Sequence, residues 1–235
     1  MIRFALGIAA LVLTNAAAPA LAADAERPVV IELFQSQGCS SCPPANANLI
    51  RFAERKDALA LTFAVDYWDS LGWKDTFSKP EYTARQWAYA KAMGHSEVFT
   101  PQIVVNGRAD GTGLEEGEMA RLARSADRGA SGPDVTFEAG AVRIGAGSAP
   151  PAGADVWLAR YQPGVVEVAV RRGENAGRTL PHTNVVRQFV RLGKWSGEAE
   201  RLPLPASETG LADAVLVQRA GAGPILAAAS NAGVQ

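Results

Sequence analysis

The stretch GCSSCPPA, residues 38–45, constrains the chain more tightly than any other. It carries both cysteines, two residues apart, and follows them with two prolines. Proline lacks an N–H and holds φ near the helical value, so a helix tolerates it only in the first turn. Pro43 and Pro44 therefore set a helix start near Ser41 or Cys42. Upstream, PVVIELF (Pro28–Phe34) is almost continuously apolar, the pattern of a strand buried on both faces. Downstream, Ala45, Leu49, Phe52 and Ala53 recur at helical spacing, with Arg51, Glu54 and Arg55 left for the wet face. The cysteines thus sit at a strand-to-helix junction. Cys39 lies just ahead of the positive end of the helix, a position that stabilises a thiolate and lowers its pKa. On this reading Cys39 is the exposed nucleophile and Cys42 the more buried resolving thiol.

Three chemistries compete for such a pair. A structural staple gains stability from the length of chain it encloses, and a bridge from Cys39 to Cys42 encloses only two residues. A zinc site needs four ligands; there is no second cysteine pair, and His95 and His182 lie far apart without ligand spacing. Thiol–disulfide exchange suits the spacing, because one sulfur attacks a partner disulfide while the other waits within reach to resolve the mixed disulfide. That chemistry calls for no metal and no bound cofactor.

The N-terminus, MIRFALGIAALVLTNAAAPALAADA, has Arg3 as a positive n-region, an apolar run too short to cross a bilayer, and a small-residue cleavage pattern. It reads as a secretory signal peptide over residues 1–23, and the mature chain is expected in the periplasm or fully secreted, without a membrane span. Such compartments permit disulfides. The chain has 24 acidic and 23 basic residues and no basic block to neutralise a phosphate backbone, which argues against nucleic acid as a partner. Protein thiols and disulfides, with a thiol electron donor or acceptor, are the expected partners.

Further elements follow in a consistent order. ALALTFAVD alternates Leu59, Leu61, Phe63 and Val65 to one side, a strand signature. Ser78, Pro80 and Glu81 read as a capping box with proline in the first turn of a helix that runs through EYTARQWAYAKAM and stops at Gly94. TPQIVVNGRADG is a strand whose Asn106-Gly107 pair signals a tight hairpin. LEEGEMARLARSADRG places acids early and arginines late, as the helix dipole prefers, and ends on Gly129.

This order of strand, helix, strand, helix, hairpin, helix, with CxxC opening the first helix and Thr100-Pro101 entering the hairpin, resembles the thioredoxin fold over about residues 28–130. The resemblance implies that the peptide bond before Pro101 is cis, that Pro101 lies against the cysteine pair, and that the Thr100 backbone is free to pair with an extended substrate chain. More narrowly, ELFQSQGCSSCPPA, DYWDSLGWKD and TPQIVVNGR together look like a secreted bacterial family catalogued as a domain of unknown function (DUF 1223), thioredoxin-like with an extra β-rich part. Thioredoxins also carry a buried acid in the strand before the cysteines, which helps move protons from the resolving thiol. Glu32 is the candidate for that part, but its offset from Cys39 differs by one from the usual placing and side chains alternate faces along a strand, so a hydrogen-bonded structural carboxylate stands as the other reading. Trp68 and Trp73 stand in an aromatic loop, either as a substrate rim or as pins that hold the loop to the body. Peroxiredoxin-like chemistry is disfavoured, since FQSQG before Cys39 lacks the expected threonine. A copper carrier would use Cys39, Cys42 and His95.

From Ala130 the composition shifts to short β-like runs, VTFEAG, AVRIGAG, DVWLARY, VVEVAVRRG, NVVRQFVRLGKW, AVLVQR and PILAAAS, punctuated by Gly, Pro and Asn. The expected architecture is α/β, a thioredoxin-like domain over 24–131 followed by a smaller all-β, sandwich-like domain over 132–235. GENAGRTLPHTNVVR, polar and glycine-rich, is either a segment that folds over the redox site or meets a partner, or a crossing loop with a solvated strand face. The expected function is thiol–disulfide oxidoreduction on protein disulfides, with Cys39 attacking, Cys42 resolving and Thr100-Pro101 aligning the target. The alternatives are a non-catalytic binding or redox-sensing module and the copper carrier.

Overall fold

A computed structural model describes residues 27–129 and 131–232. The signal-peptide assignment lies outside the described residues. No described helix is long and apolar enough to cross a membrane.

The protein is mixed α/β. Its elements run β1 (Val29–Gln35), α1 (Pro43–Ala53), β2 (Ala58–Ala64), α2 (Pro80–Met93), β3 (Gln102–Val105), β4 (Ala109–Gly111), α3 (Glu116–Ser125), β5 (Val135–Glu138), β6 (Ala141–Ile144), β7 (Ala154–Ala169), β8 (Thr179–Trp195), β9 (Glu200–Pro203), β10 (Ala212–Arg219) and β11 (Ile225–Ser230). One eight-stranded sheet has the order β11-β10-β7-β8-β2-β1-β3-β4, and β5-β6-β9 form a small second sheet. β1 runs parallel to β2 and antiparallel to β3, so both neighbours bury it.

The two faces of the large sheet follow from strand alternation. Val30 and Phe34 of β1, Leu61 and Phe63 of β2, and Ala214 and Leu216 of β10 share one core with Tyr82 and Tyr89 of α2. Val29, Ile31 and Leu33 point the other way, into a core with Leu49 and Phe52 of α1 and Met119 and Ala123 of α3. Val215 and Val217 of β10 also turn away from α2 and pack with Val142 and Ile144 of the small sheet and with Trp195. The layers are therefore α2 on one side, the large sheet in the middle, and α1, α3 and the small sheet on the other.

The sequence suggested a separate all-β unit after residue 131. Instead only β5, β6 and β9 form a sheet of their own, while β7, β8, β10 and β11 extend the sheet begun by β1–β4. The join is the parallel contact Thr62↔Val185 between β2 and β8. Side chains lengthen it: Thr62 Oγ1 donates to the Thr183 carbonyl at 2.6 Å, and Asn184 Nδ2 donates to the Ala60 carbonyl at 2.9 Å. At the far edge Gly132 passes so close to β11 that a Cβ there would stand 2.0 Å from the Leu226 carbonyl oxygen.

Of two local expectations, one holds and one needs adjusting. Asn106 and Gly107 both have positive φ, 49° and 61°, and Arg108 N–H bonds the Val105 carbonyl at 2.9 Å, so the hairpin turn is as expected. The capping box at Ser78 does not form: Lys79 is the N-cap of α2, and the Ser78 hydroxyl donates to Asp69 Oδ2 at 2.8 Å.

Candidate functional site

β1 ends at Gln35 and the chain turns through Ser36–Ser41 into α1, whose N-cap is Cys42 and whose first two residues are the prolines. The turn is held by its own backbone, Cys39 N–H to the Ser36 carbonyl at 3.1 Å and Cys42 N–H to the Cys39 carbonyl at 3.2 Å. Cys39 and Cys42 are joined in a disulfide.

Here one expectation fails. Cys39 was read as the exposed thiol, yet its relative exposure is 0%, and that of Cys42 is 1%. Only Ser40 and Ser41 between them are exposed. The sequence placed Pro101 against this junction and offered the GENAG stretch as one cover for it, but not the bonds that close it. Three remote segments do so, each through named bonds.

The first is the β2–α2 connection. Gln37 N–H donates to Asp75 Oδ2 at 2.7 Å, Trp73 Nε1–H donates to Gln37 Oε1 at 2.9 Å, and Gln37 Nε2 donates to Thr76 Oγ1 at 2.9 Å. Asp75 also accepts from Phe77 N–H at 2.8 Å. Burial pushes the Asp75 carboxyl up to about 6, with the Asp69 charge adding to the rise and the backbone N–H donors opposing it. The second segment is the entry to β3. The Thr100–Pro101 bond is cis and Pro101 is buried. Thr100 Oγ1 accepts from Trp68 Nε1–H at 2.8 Å, and the Ser41 hydroxyl sits 3.4 Å from Cys39 Sγ and 3.5 Å from the Thr100 carbonyl oxygen. The third is the β7–β8 tip. Asn175 Nδ2 donates to the carbonyls of Gln37 and Cys39 at 3.0 and 2.9 Å, and Glu174 Oε2 accepts from Ser40 N–H at 3.3 Å. Gly173, at φ +76°, lies flat against Trp73, where a Cβ would stand 3.2 Å from the Trp73 Cβ.

The structure thus gathers Cys39, Cys42, Thr100, Pro101, Trp68 and Trp73 around one loop. Both indole N–H groups are spent on internal bonds, so the two tryptophans pin their loop to the site. Glu32 is not part of the cluster and is corrected to a structural carboxylate. It lies on the α2 face of β1, where Arg85 Nε bonds its Oε1 at 2.6 Å, Arg85 Nη2 bonds its Oε2 at 2.9 Å, and the Tyr89 hydroxyl also bonds Oε2. The offset noted in the sequence is the cause, since it puts the side chain on the face that α2 covers. His95 pairs with Asp110 at 3.1 Å on the β3–β4 hairpin, and no cluster of three or more His, Cys, Asp or Glu suited to a metal exists among the described residues.

Sequence reasoning passed over Asn175, Gln37 and Asp75. The only signal for Asn175 was the polar GENAG stretch, already odd among strands. His182 from that stretch is fully buried with the Phe77 ring edge-on to it, and burial lowers its pKa to about 4.

A family model described as "Protein of unknown function (DUF1223)" matches residues 30–218. A crystal structure of a protein from Agrobacterium tumefaciens is similar over 86% of this chain and 92% of its own, with 33% sequence identity and a TM-score of 0.69. HBP35 of Porphyromonas gingivalis, 14% identical, is similar in fold over 87% of this chain and 74% of its own, with a TM-score of 0.59. No curated protein matches.

Proposed function

The chain belongs to the DUF1223 family, and from its site we propose that it is a thioredoxin-like thiol–disulfide oxidoreductase acting outside the cytoplasm on protein disulfides. The observation that carries the reading is the Cys39–Cys42 disulfide at the β1–α1 junction, linked through Ser41 to the carbonyl that precedes a cis proline. The order β1-α1-β2-α2-β3-β4-α3 supports the thioredoxin-like assignment.

In the reduced protein the Cys39 thiolate attacks one sulfur of a substrate disulfide, forming a mixed disulfide and releasing the other substrate sulfur as thiolate. The Cys42 thiolate then attacks the Cys39 sulfur, closing the intramolecular disulfide and releasing the second substrate thiolate. Two electrons pass to the substrate, and an external thiol donor restores the dithiol. Reversal of the same steps oxidises a substrate dithiol. Thr100 offers a backbone edge to an extended target. The sequence pattern of residues 1–23, read as a signal peptide, supports export.

The burial of Cys39 favours a second reading, a redox-responsive binding module whose pair changes state without turning over substrate. The two separate in one assay, reduction of a protein disulfide with dithiothreitol as donor. Turnover by the wild type, abolished in Cys39→Ser and trapped as a mixed disulfide in Cys42→Ser, supports the oxidoreductase. A wild type that gives no rate above the uncatalysed background sinks it.

A further inference from the structure

β10 pairs with β7 only along Ala154–Tyr161, while β8 continues to pair β7 out to Ala169↔Thr179. Beyond Tyr161 β10 no longer flanks the hairpin, and past the β2 contacts at Thr183–Val185 β7 and β8 pair only with each other, with register shifts at Arg160/Tyr161 and Gln162/Val165. The tip is bonded within itself: Gly177 N–H to the Val170 carbonyl and Val170 N–H to the Arg178 carbonyl, both at 2.9 Å, and Arg178 Nη1 to Asn175 Oδ1 at 2.7 Å. These bonds tie the tip into one unit. Residues 171–174 and 176–179 are exposed, whereas Asn175 between them is 0% exposed. The single buried residue of the tip is the one bonded to the carbonyls of Gln37 and Cys39. Glu174 adds a bond to the amide of Ser40.

We infer that the β7–β8 tip is a latch on the redox loop: exchange at Cys39 proceeds from an open state in which Asn175 has released the Gln37 and Cys39 carbonyls. This rests on the oxidoreductase reading for its purpose, but the latch itself is a property of the disulfide and is measurable without turnover. Its hold is three hydrogen bonds and the contact of Gly173 with Trp73, while Val170 and Leu180 at the base of the tip stay in the packed body, so the tip can lift while the hairpin stays anchored. A partner that offers its own polar groups to the Gln37 and Cys39 carbonyls replaces what Asn175 gives up.

The test is the rate at which the folded, oxidised protein loses its disulfide to excess dithiothreitol, which supplies two electrons and closes its own ring disulfide. Asn175→Ala removes the two hydrogen bonds that hold the redox loop, along with the Arg178 bond inside the tip, and the loss of the two loop bonds, each of ordinary net strength, corresponds to roughly a 10–100-fold faster reduction. Glu174→Ala removes one bond at an exposed side chain that puts no fold at risk, and is expected to quicken reduction roughly two- to tenfold. Rates equal to wild type in both variants overturn the latch. If Asn175→Ala does not fold, an unchanged rate in Glu174→Ala alone overturns it. Faster reduction in the variants together with a wild type that never turns over a protein disulfide keeps the latch and discards the enzyme.

Discussion

At the scale of single residues, two buried titratable groups, Asp75 bonded to the redox loop and His182 beside Phe77, depend on pH in opposite senses. Asp75, raised to about 6 from an ordinary 3.8, keeps its proton in the folded protein over a range where the unfolded chain has lost it. Its contribution is full below 3.8 and lost as pH rises to about 6. His182, lowered to about 4 from 6.5, does the reverse: its contribution is full above 6.5 and lost as pH falls to about 4. Each shift corresponds to about 3 kcal/mol at most. Their slopes cancel between roughly pH 6.5 and 4, so removing either should unmask the other. Relative to wild type, His182→Phe should gain stability over that fall in pH and Asp75→Asn should lose it, read as urea midpoints at the two ends of the range. Equal pH slopes in all three proteins would refute the assignment. Neither residue was legible as a site member in the sequence. Cys39, Cys42 and the Thr100–Pro101 entry were, because covalent reach and proline chemistry are local. Asp75 meets Gln37 across 38 positions and Asn175 meets it across 138, and no periodicity reports such pairings.

At the scale of elements, α1 is unusual in its first turn. Pro43 and Pro44 occupy its first two positions and deny that end two backbone N–H groups, leaving the aligned peptide dipoles but fewer donors to meet an anionic sulfur. Pro44→Ala, at an exposed position, restores one donor. The dithiol form should be favoured and the reduction potential should rise by about 10–20 mV, measured by equilibration with glutathione buffers. An unchanged or lower potential would show that the helix end does not act on Cys39. The same prolines made the start of α1 readable, just as alternation made β1 and β2 readable. β7 was misread as two runs because Pro163-Gly164 looked like a terminator. It is one strand with an irregular stretch there, tolerated since β10 no longer pairs beyond Tyr161 and the proline has no ladder bond to break.

At the scale of the whole molecule, the chain halves share a core. Phe34, Phe63, Tyr82 and Tyr89 pack with Ala159, Tyr161, Val186, Phe189, Leu216 and Ile225, and the buried Arg85–Glu32 pair is roofed by Phe189 and bonded to Gln218. A fragment of residues 24–131 would leave that ion pair and those rings in water, each large side chain forfeiting about 1.5–3 kcal/mol of burial. We expect the fragment to lack near-ultraviolet circular dichroism and the full chain to melt in one cooperative transition. A folded fragment would instead mean that the two halves are independent units. The compositional change near residue 131 coincides with a change from mixed elements to strands alone; it carries no trace of which strands pair across it, because β2 and β8 meet through one ladder contact and two side chains.

An eight-stranded sheet that does not close has two flanks where a stray strand could add, and the fold blunts both. β4 offers three residues, too few to template a neighbour. Beside β11 the chain at Gly132 lies almost on the Leu226 carbonyl, a fit that any side chain would break. The absence of a Cβ at that one position thus acts as a guard against fibrillar stacking, in a molecule whose long strands would otherwise invite it.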